Sequence, residues 1–308
     1  MSLSTASQAT VGVVGAGAVG QAVAATLVGT AVPRRLLIVS RTTMQTDALA
    51  RDLDDMRQSL KAPVRPYAAR LDDLRDCDAV IVALRAKFIN SQTQDVRMAG
   101  LQANALPIRM IAEALGGYSG AMLVVTNPVD LMSRLLAETS GCPRVYGIGS
   151  NLDSARYRLA IAQMFGVPAA AVHGHVIGEH GDGAVICAAS TTVDDRPVKV
   201  PLDRIRQDLA ARPGHISAGV GRTHAGPAGA VLATLRKVLG LADGVEELST
   251  AHHGGWLGIP LDFRLGTHTP RLPVLDADEV RAFAAADGKL RTAYQALCTD
   301  LPPGKRTS

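Results

Sequence analysis

The chain reads as an α/β protein, a doubly wound parallel sheet followed by an α+β second lobe. Three observations carry that reading. Short continuous apolar runs alternate with helix-period segments as far as residue 150. A glycine turn, GAGAVG, joins the first run to the first helix. Beyond Asn151 the strand-like runs become shorter and more interrupted. At 308 residues the chain exceeds the roughly 250–300 that one core usually holds, so two units, 1–150 and 151–308, are expected to share a cleft.

Taken in order, TVGVVG (10–15) is a buried strand, and AVGQAVAATLVG (18–29) has apolar residues at helical spacing and stops before Pro33. LLIVS (36–40) is a second strand. Residues 44–60 place Leu49, Leu53, Met56 and Leu60 on one helix face. DAVIVAL (78–84) and AMLVVTN (121–127) are continuous apolar strands of the kind buried on both faces of a parallel sheet, with a helix over 99–115 between them. The second lobe opens with a helix over 154–165. Strand-like runs at 185–190 and 259–265 and helices near 226–239 and 276–298 complete it, and the tail LPPGKRTS is expected to fray.

Composition narrows the partners. The net charge is only +4, no Lys/Arg block stands out, and aromatic residues make up 3%, so neither nucleic acid nor a membrane surface is an expected partner. No positively charged leader precedes the first apolar run, and no stretch reaches 18 uninterrupted apolar residues, so neither a signal peptide nor a membrane span is expected. The cysteines, Cys77, Cys142, Cys187 and Cys298, are far apart and form no CxxC. They read as reduced thiols of a cytoplasmic protein.

GAGAVG is a complete GxGxxG between a strand and a helix. Gly15 permits the tight turn, Gly17 lets the backbone approach a pyrophosphate, and Gly20 lets helix and strand pack closely. The pyrophosphate would sit on N–H groups at the helix N-terminus, near Ala18 and Val19. This is the dinucleotide site of a Rossmann sheet. Such sheets usually end the next strand with an acid that binds the ribose hydroxyls, but here Ser40 and Arg41 stand there. Ser40 removes the repulsion toward a 2′-phosphate and Arg41 can pair with it in a bidentate fork, which favours NADP. The alternative is NAD, with Ser40 and Arg41 facing solvent.

Further polar groups fall where a parallel sheet presents its carboxyl ends. TNPVD sets Asn127 after an apolar strand, and NLDSAR supplies Asp153 and Arg156 three apart on one helical turn. GEHGD holds His180 between glycines, and QDVRMAG holds Arg97 ahead of the helix over 99–115. Singly, each has a plain reading: a turn former, an i,i+3 ion pair, a surface turn. His173 and His175, in HGHV, lack a third ligand at a metal-site spacing and read as structural, so no metal is expected.

The ordered set, from GAGAVG through DAVIVAL, TNPVD, NLDSAR and GEHGD, resembles the L-lactate/malate dehydrogenase family along essentially the whole chain. The resemblance implies hydride exchange between a nicotinamide cofactor and C2 of a small 2-hydroxy or 2-oxo acid. His180 is similar to the family's proton donor and acceptor, and Asp153 to the carboxylate that orients it and raises its affinity for a proton. Arg156 looks like the fork for the substrate carboxylate, and Arg97 like the loop arginine that polarises the carbonyl. Asn127 would lie near the carbonyl and the nicotinamide, with Ala83 on the cofactor side. A homo-oligomer, dimer or tetramer, is implied by the same resemblance.

The substrate loop departs from that pattern. After VIVAL, relatives continue with a Gly-containing turn and a short Pro/Gly-rich lid, whereas this chain reads RAKFINSQTQDVR, longer and without Gly or Pro. Counting from the strand puts Lys87 at the specificity position, and counting back from Arg97 puts Ser91 there. Lys87 suits a second anionic group, as in a malate dehydrogenase, whereas Ser91 suits a neutral one. Thr223, beside His224, aligns with a pocket wall. The expected substrate is neither pyruvate nor oxaloacetate. The rival reading is a non-catalytic NAD(P)-binding sensor.

Overall fold

The computed structural model describes residues 8–89 and 95–301. Six parallel strands form the first part: β1 (Thr10–Val14), β2 (Arg35–Val39), β3 (Arg65–Ala68), β4 (Ala79–Val82), β5 (Ala121–Val124) and β6 (Val145–Gly147). They lie in the order β3-β2-β1-β4-β5-β6, so the chain changes direction between β1 and β4. A ligand crevice belongs outside the carboxyl ends of the strands at that point.

Alternation along each strand divides the interior in two. Val14, Val80, Val82 and Met122 face one core with α3 (Leu101–Ala114) and α4 (Val129–Ser140). Val11, Val13, Ile81 and Leu123 face the other, with α1 (Ala18–Thr30) and α2 (Thr43–Leu60). Gly15 is at φ +120°, a left-handed conformation that suits glycine, and its N–H donates to the Val39 carbonyl at 2.8 Å. A Cβ on Gly20 would run into the Gly15 carbonyl oxygen, so α1 packs against the turn only because that side chain is missing.

The remaining strands are β7 (Val172–His173), β8 (Val176–Gly178), β9 (Ala184–Ile186), β10 (Thr192–Val193), β11 (Arg196–Pro197), β12 (Gly244–His252), β13 (Gly255–Arg264) and β14 (Thr267–Pro270). The main sheet continues from β6 through β12, β13, β8 and β9, all antiparallel, with β14 on β13; β7, β10 and β11 form a small separate sheet. Around them pack α5 (Ser150–Phe165), α6 (Leu202–Val220), α7 (Ala225–Val238) and α8 (Ala277–Asp300). Asp276 caps α8 in a reciprocal box with Glu279.

The elements expected from the sequence are present, with ends shifted by a few residues. Ten go beyond that expectation: β3, β6, β7, β8, β10, β11, β12, β14, α4 and α6. Pro213 and Gly214 sit inside α6 and mask its period. β12 carries Glu246 and Glu247, which do not look like core residues but are buried in pairs. Lys237 reaches Glu246 at 2.7 Å, while Arg158 and His175 reach Glu247 at 2.9 and 2.7 Å. His175 is thus a structural partner, and His173 faces Asp195 at 3.6 Å.

Replacing Gly20 by Ala should lower stability by about 1–3 kcal/mol through overpacking against the turn. Thermal denaturation beside the wild type checks it; an unchanged midpoint would contradict the close approach.

Candidate active site

A cleft of about 1590 Å³ opens above the β1/β4 switch point and runs from the glycine turn to His180. Gly15, Gly17, Ala18 and Val19 line one end. A Cβ on Gly17 would meet nothing within 4 Å, which leaves open space beside the first turn of α1. The N–H groups of that turn have no partner inside the helix and aim at the space, so the residues present fit a dinucleotide pyrophosphate. Ser40 and Arg41 line the cleft at the end of β2, and no carboxylate occupies that strand end. The Ser40 hydroxyl donates to Gln45 Oε1 at 3.1 Å, and Arg41 donates one N–H to the Arg85 carbonyl at 3.3 Å. Among the described residues seven Arg or Lys side chains line the cleft against two carboxylates, Asp47 and Asp73, a balance suited to an anionic occupant.

At the other end, three distant segments converge on one carboxylate. Asp153 lies on the first turn of α5, His180 on the turn between β8 and β9, and Arg97 just ahead of α3. His180 Nδ1 is 2.6 Å from Asp153 Oδ2, Arg156 Nη1 is 3.3 Å from Asp153 Oδ1, and Arg97 Nη2 is 3.9 Å from that same Oδ1. Burial opposes ionisation of Asp153, but His180, through charge and hydrogen bond, with Arg97 and Arg156 behind it, holds the carboxyl down at about 2. Asp153 therefore stays an anion that only accepts. The hydrogen on Nδ1 points to it, and Nε2 is the ring nitrogen left to exchange a proton.

Arg156, His180 and Arg97 line the cleft; Asp153 sits behind them. Ala83, Asn127, Lys87 and Thr223 also line it. Gly20 lies beneath the turn, and Ser91 is outside the described residues. Among the described residues Asn127 Oδ1, buried in a wall of the cleft, has no hydrogen-bond partner and is an acceptor left open there. His224, next to Thr223, caps its own loop, its Nδ1 2.9 Å from the Arg222 carbonyl.

Two side chains here had no role in the sequence reading. Asn104 accepts from the Ala86 N–H at 2.8 Å and donates to the Asn127 carbonyl at 2.7 Å, fastening two strand-end loops together. Nothing in its sequence context marks it. Asp130 accepts the backbone N–H of His180 at 2.9 Å, and burial pushes its carboxyl up to about 6. Its position three residues after Asn127, inside TNPVD, was the available signal.

Two family models match the chain. Residues 9–149 match the lactate/malate dehydrogenase NAD binding domain, and residues 150–211 the lactate/malate dehydrogenase alpha/beta C-terminal domain. The chain belongs to the lactate/malate dehydrogenase family. It is 32% identical over 195 residues to an L-lactate dehydrogenase of Bacillus licheniformis, a match spanning 62% of this chain and 60% of that relative. With an L-lactate dehydrogenase of Bacillus velezensis the identity is 28% over 271 residues, 81% of this chain and 84% of the relative. In fold it resembles a lactate dehydrogenase from a Medee basin deep-sea metagenome library (TM-score 0.86, 21% identity, 94% and 99% of the two chains). It also resembles the malate dehydrogenase of Cryptosporidium parvum (TM-score 0.85, 23% identity, 95% and 100%). Among the described residues of this lactate/malate dehydrogenase family member, no helix is long and apolar enough to cross a membrane.

The two carboxyls at this site give stability opposite slopes with pH. Asp153, at about 2 folded against roughly 3.9 unfolded, contributes stability on the order of 2–3 kcal/mol that is fully present above roughly pH 4 and lost as pH falls toward 2. Asp130, at about 6 folded, binds more protons in the native state, so its contribution is present below roughly pH 4 and lost as pH rises through 6. Denaturant titrations should show the gap between wild type and Asp153→Asn narrowing from pH 5 to pH 2. The gap between wild type and Asp130→Asn should move the other way between pH 4 and 6. Parallel pH curves would contradict both assignments.

Proposed function

We propose that the chain is a nicotinamide-dependent 2-hydroxy-acid dehydrogenase, or 2-oxo-acid reductase, that prefers NADP to NAD. The observation that carries this reading is the Asp153 carboxylate. It holds His180 and Arg156 together in the wall of a cleft that begins at the glycine turn. Gly15, Gly17, Ala18 and Val19 would hold the dinucleotide, with Ala83 and Asn127 flanking it and Ser40 and Arg41 at its adenosine ribose. When bound, the reduced nicotinamide supplies a hydride to C2 of the substrate.

The chain's own groups do the rest. Arg156 gives one N–H to Asp153, and its remaining N–H groups present a fork to the substrate carboxylate. His180, whose ring Asp153 orients through Nδ1, delivers a proton from Nε2 to the ketone oxygen. Arg97 places positive charge beside the oxygen where negative charge develops. Ser40 and Arg41 support NADP because they offer donors and a cation to a 2′-phosphate, where an acid would repel it. Lys87 and Thr223 face the substrate, and with Ser91 they set its class. The extended loop and the excess of cleft cations favour a 2-oxo acid larger than pyruvate or oxaloacetate. We read 1–150 as the cofactor unit and 151–308 as the substrate unit of a cytoplasmic homo-oligomer, dimer or tetramer.

Steady-state assays over a panel of 2-oxo acids with NADPH and NADH test the reading. NADPH should exceed NADH in kcat/KM by about tenfold or more, and Ser40→Asp should reverse the preference. Pyruvate or oxaloacetate as the best substrate by tenfold would overturn the substrate class. His180→Ala should cut turnover by about 10²- to 10⁴-fold with cofactor affinity retained. Cofactor binding without turnover on any 2-oxo acid would leave the sensor.

A further inference from the structure

Arg97 is weakly held by its own side chain. Among the described residues its one ion pair, with Asp153, is 3.9 Å long, and the side chain is 28% exposed. What fixes its backbone lies two residues earlier. Asp95 adopts the left-handed conformation, φ +46°, and its carbonyl accepts the Met98 N–H at 2.7 Å. The Asp95 N–H donates to Asp182 Oδ2 at 2.9 Å, and the Asp95 carboxylate accepts Lys289 Nζ at 2.5 Å. Lys289 comes from α8, at the other end of the chain. The same ammonium lies 3.0 Å from both oxygens of Glu179, a buried carboxylate next to His180.

One ammonium therefore joins the segment carrying Arg97 to the turn carrying His180. Glu179 needs it, because a buried carboxylate is tolerated only when paired. Burial disfavours the charged form of Lys289, yet hydrogen bonds to Asp95 and Glu179 outweigh it and raise its pKa. The clasp touches neither the cleft nor Asp153, so it is not part of the machinery described above.

We propose that Asp95, Lys289 and Asp182 are positioning residues that set where Arg97 meets the substrate, by clasping its backbone to the His180 turn. The proposal rests on the dehydrogenase reading of this site. A merely structural ion pair would make α8 more secure without regard to Arg97.

The discriminating variant is Asp95→Asn. It keeps the N–H to Asp182 and the Lys289–Glu179 pair, so the fold stays intact. In the full-length protein, kcat should fall about tenfold, while cofactor affinity, read by nucleotide fluorescence, stays within about twofold. Lys289→Arg should retain turnover that Lys289→Met loses. In an Arg97→Ala background Asp95→Asn should add nothing, because both act through one guanidinium. An equal loss in both backgrounds, or no loss in either, overturns the proposal. Amide exchange over residues 95–101 should quicken in Asp95→Asn, and unchanged exchange overturns the clasp. A wild-type chain inactive on every 2-oxo acid strikes down the dehydrogenase reading alone, and the exchange result still judges the clasp.

Discussion

The arrangement depends on one carboxylate that is almost shut off from water. A lone buried anion costs several kcal/mol, so Asp153 can exist there only with cations around it, and they come from segments far apart in the chain. His180 arrives on the β8–β9 turn, Arg156 from the same helix, and Arg97 from the approach to α3. The backbone is thinned to let them meet. A Cβ on Gly149 would run into the His180 ring, and one on Gly258 would strike Ser150 at the start of α5. Two glycines that belong to no recognised motif are thus as necessary to the meeting point as the charged residues.

Much of this was legible in the sequence because its signals are local. Strands such as 79–82 and 121–124 are apolar throughout, since helices cover both faces of the sheet. GAGAVG announces its own strand–turn–helix. Asp153 and Arg156 share one turn of α5, so their pairing follows from helical spacing alone. Elements defined by distant partners were not legible. β12 hides its strand character behind Glu246 and Glu247, whose partners are on α5, on α7 and ahead of β8. α6 hides behind Pro213 and Gly214, and most of its length is exposed, so little apolar period remains to be read.

The site residues divide the same way. Those within a motif could be placed by spacing, whereas Asn104, Lys289 and Asp182 act only through contacts formed on folding. Asp130 lies between the two classes: it stands inside a quoted motif, but its task, receiving the His180 N–H, spans fifty residues of chain. Long-range hydrogen bonds and ion pairs leave no period, and a single chain without a fold gives no means of finding them.

Asn104 and Lys289 have a joint consequence for how this protein can change. Asn104 fixes the chain at Ala86, and Lys289 with Asp182 fixes it again at Asp95. Both anchor points are thus tied from outside the interval, one by α3 and the other by α8 and the turn that carries His180. Asp95 and Glu179 hang from one ammonium, so any shift of α8 would carry the approach to Arg97 and the turn of His180 with it, as a single hinged frame.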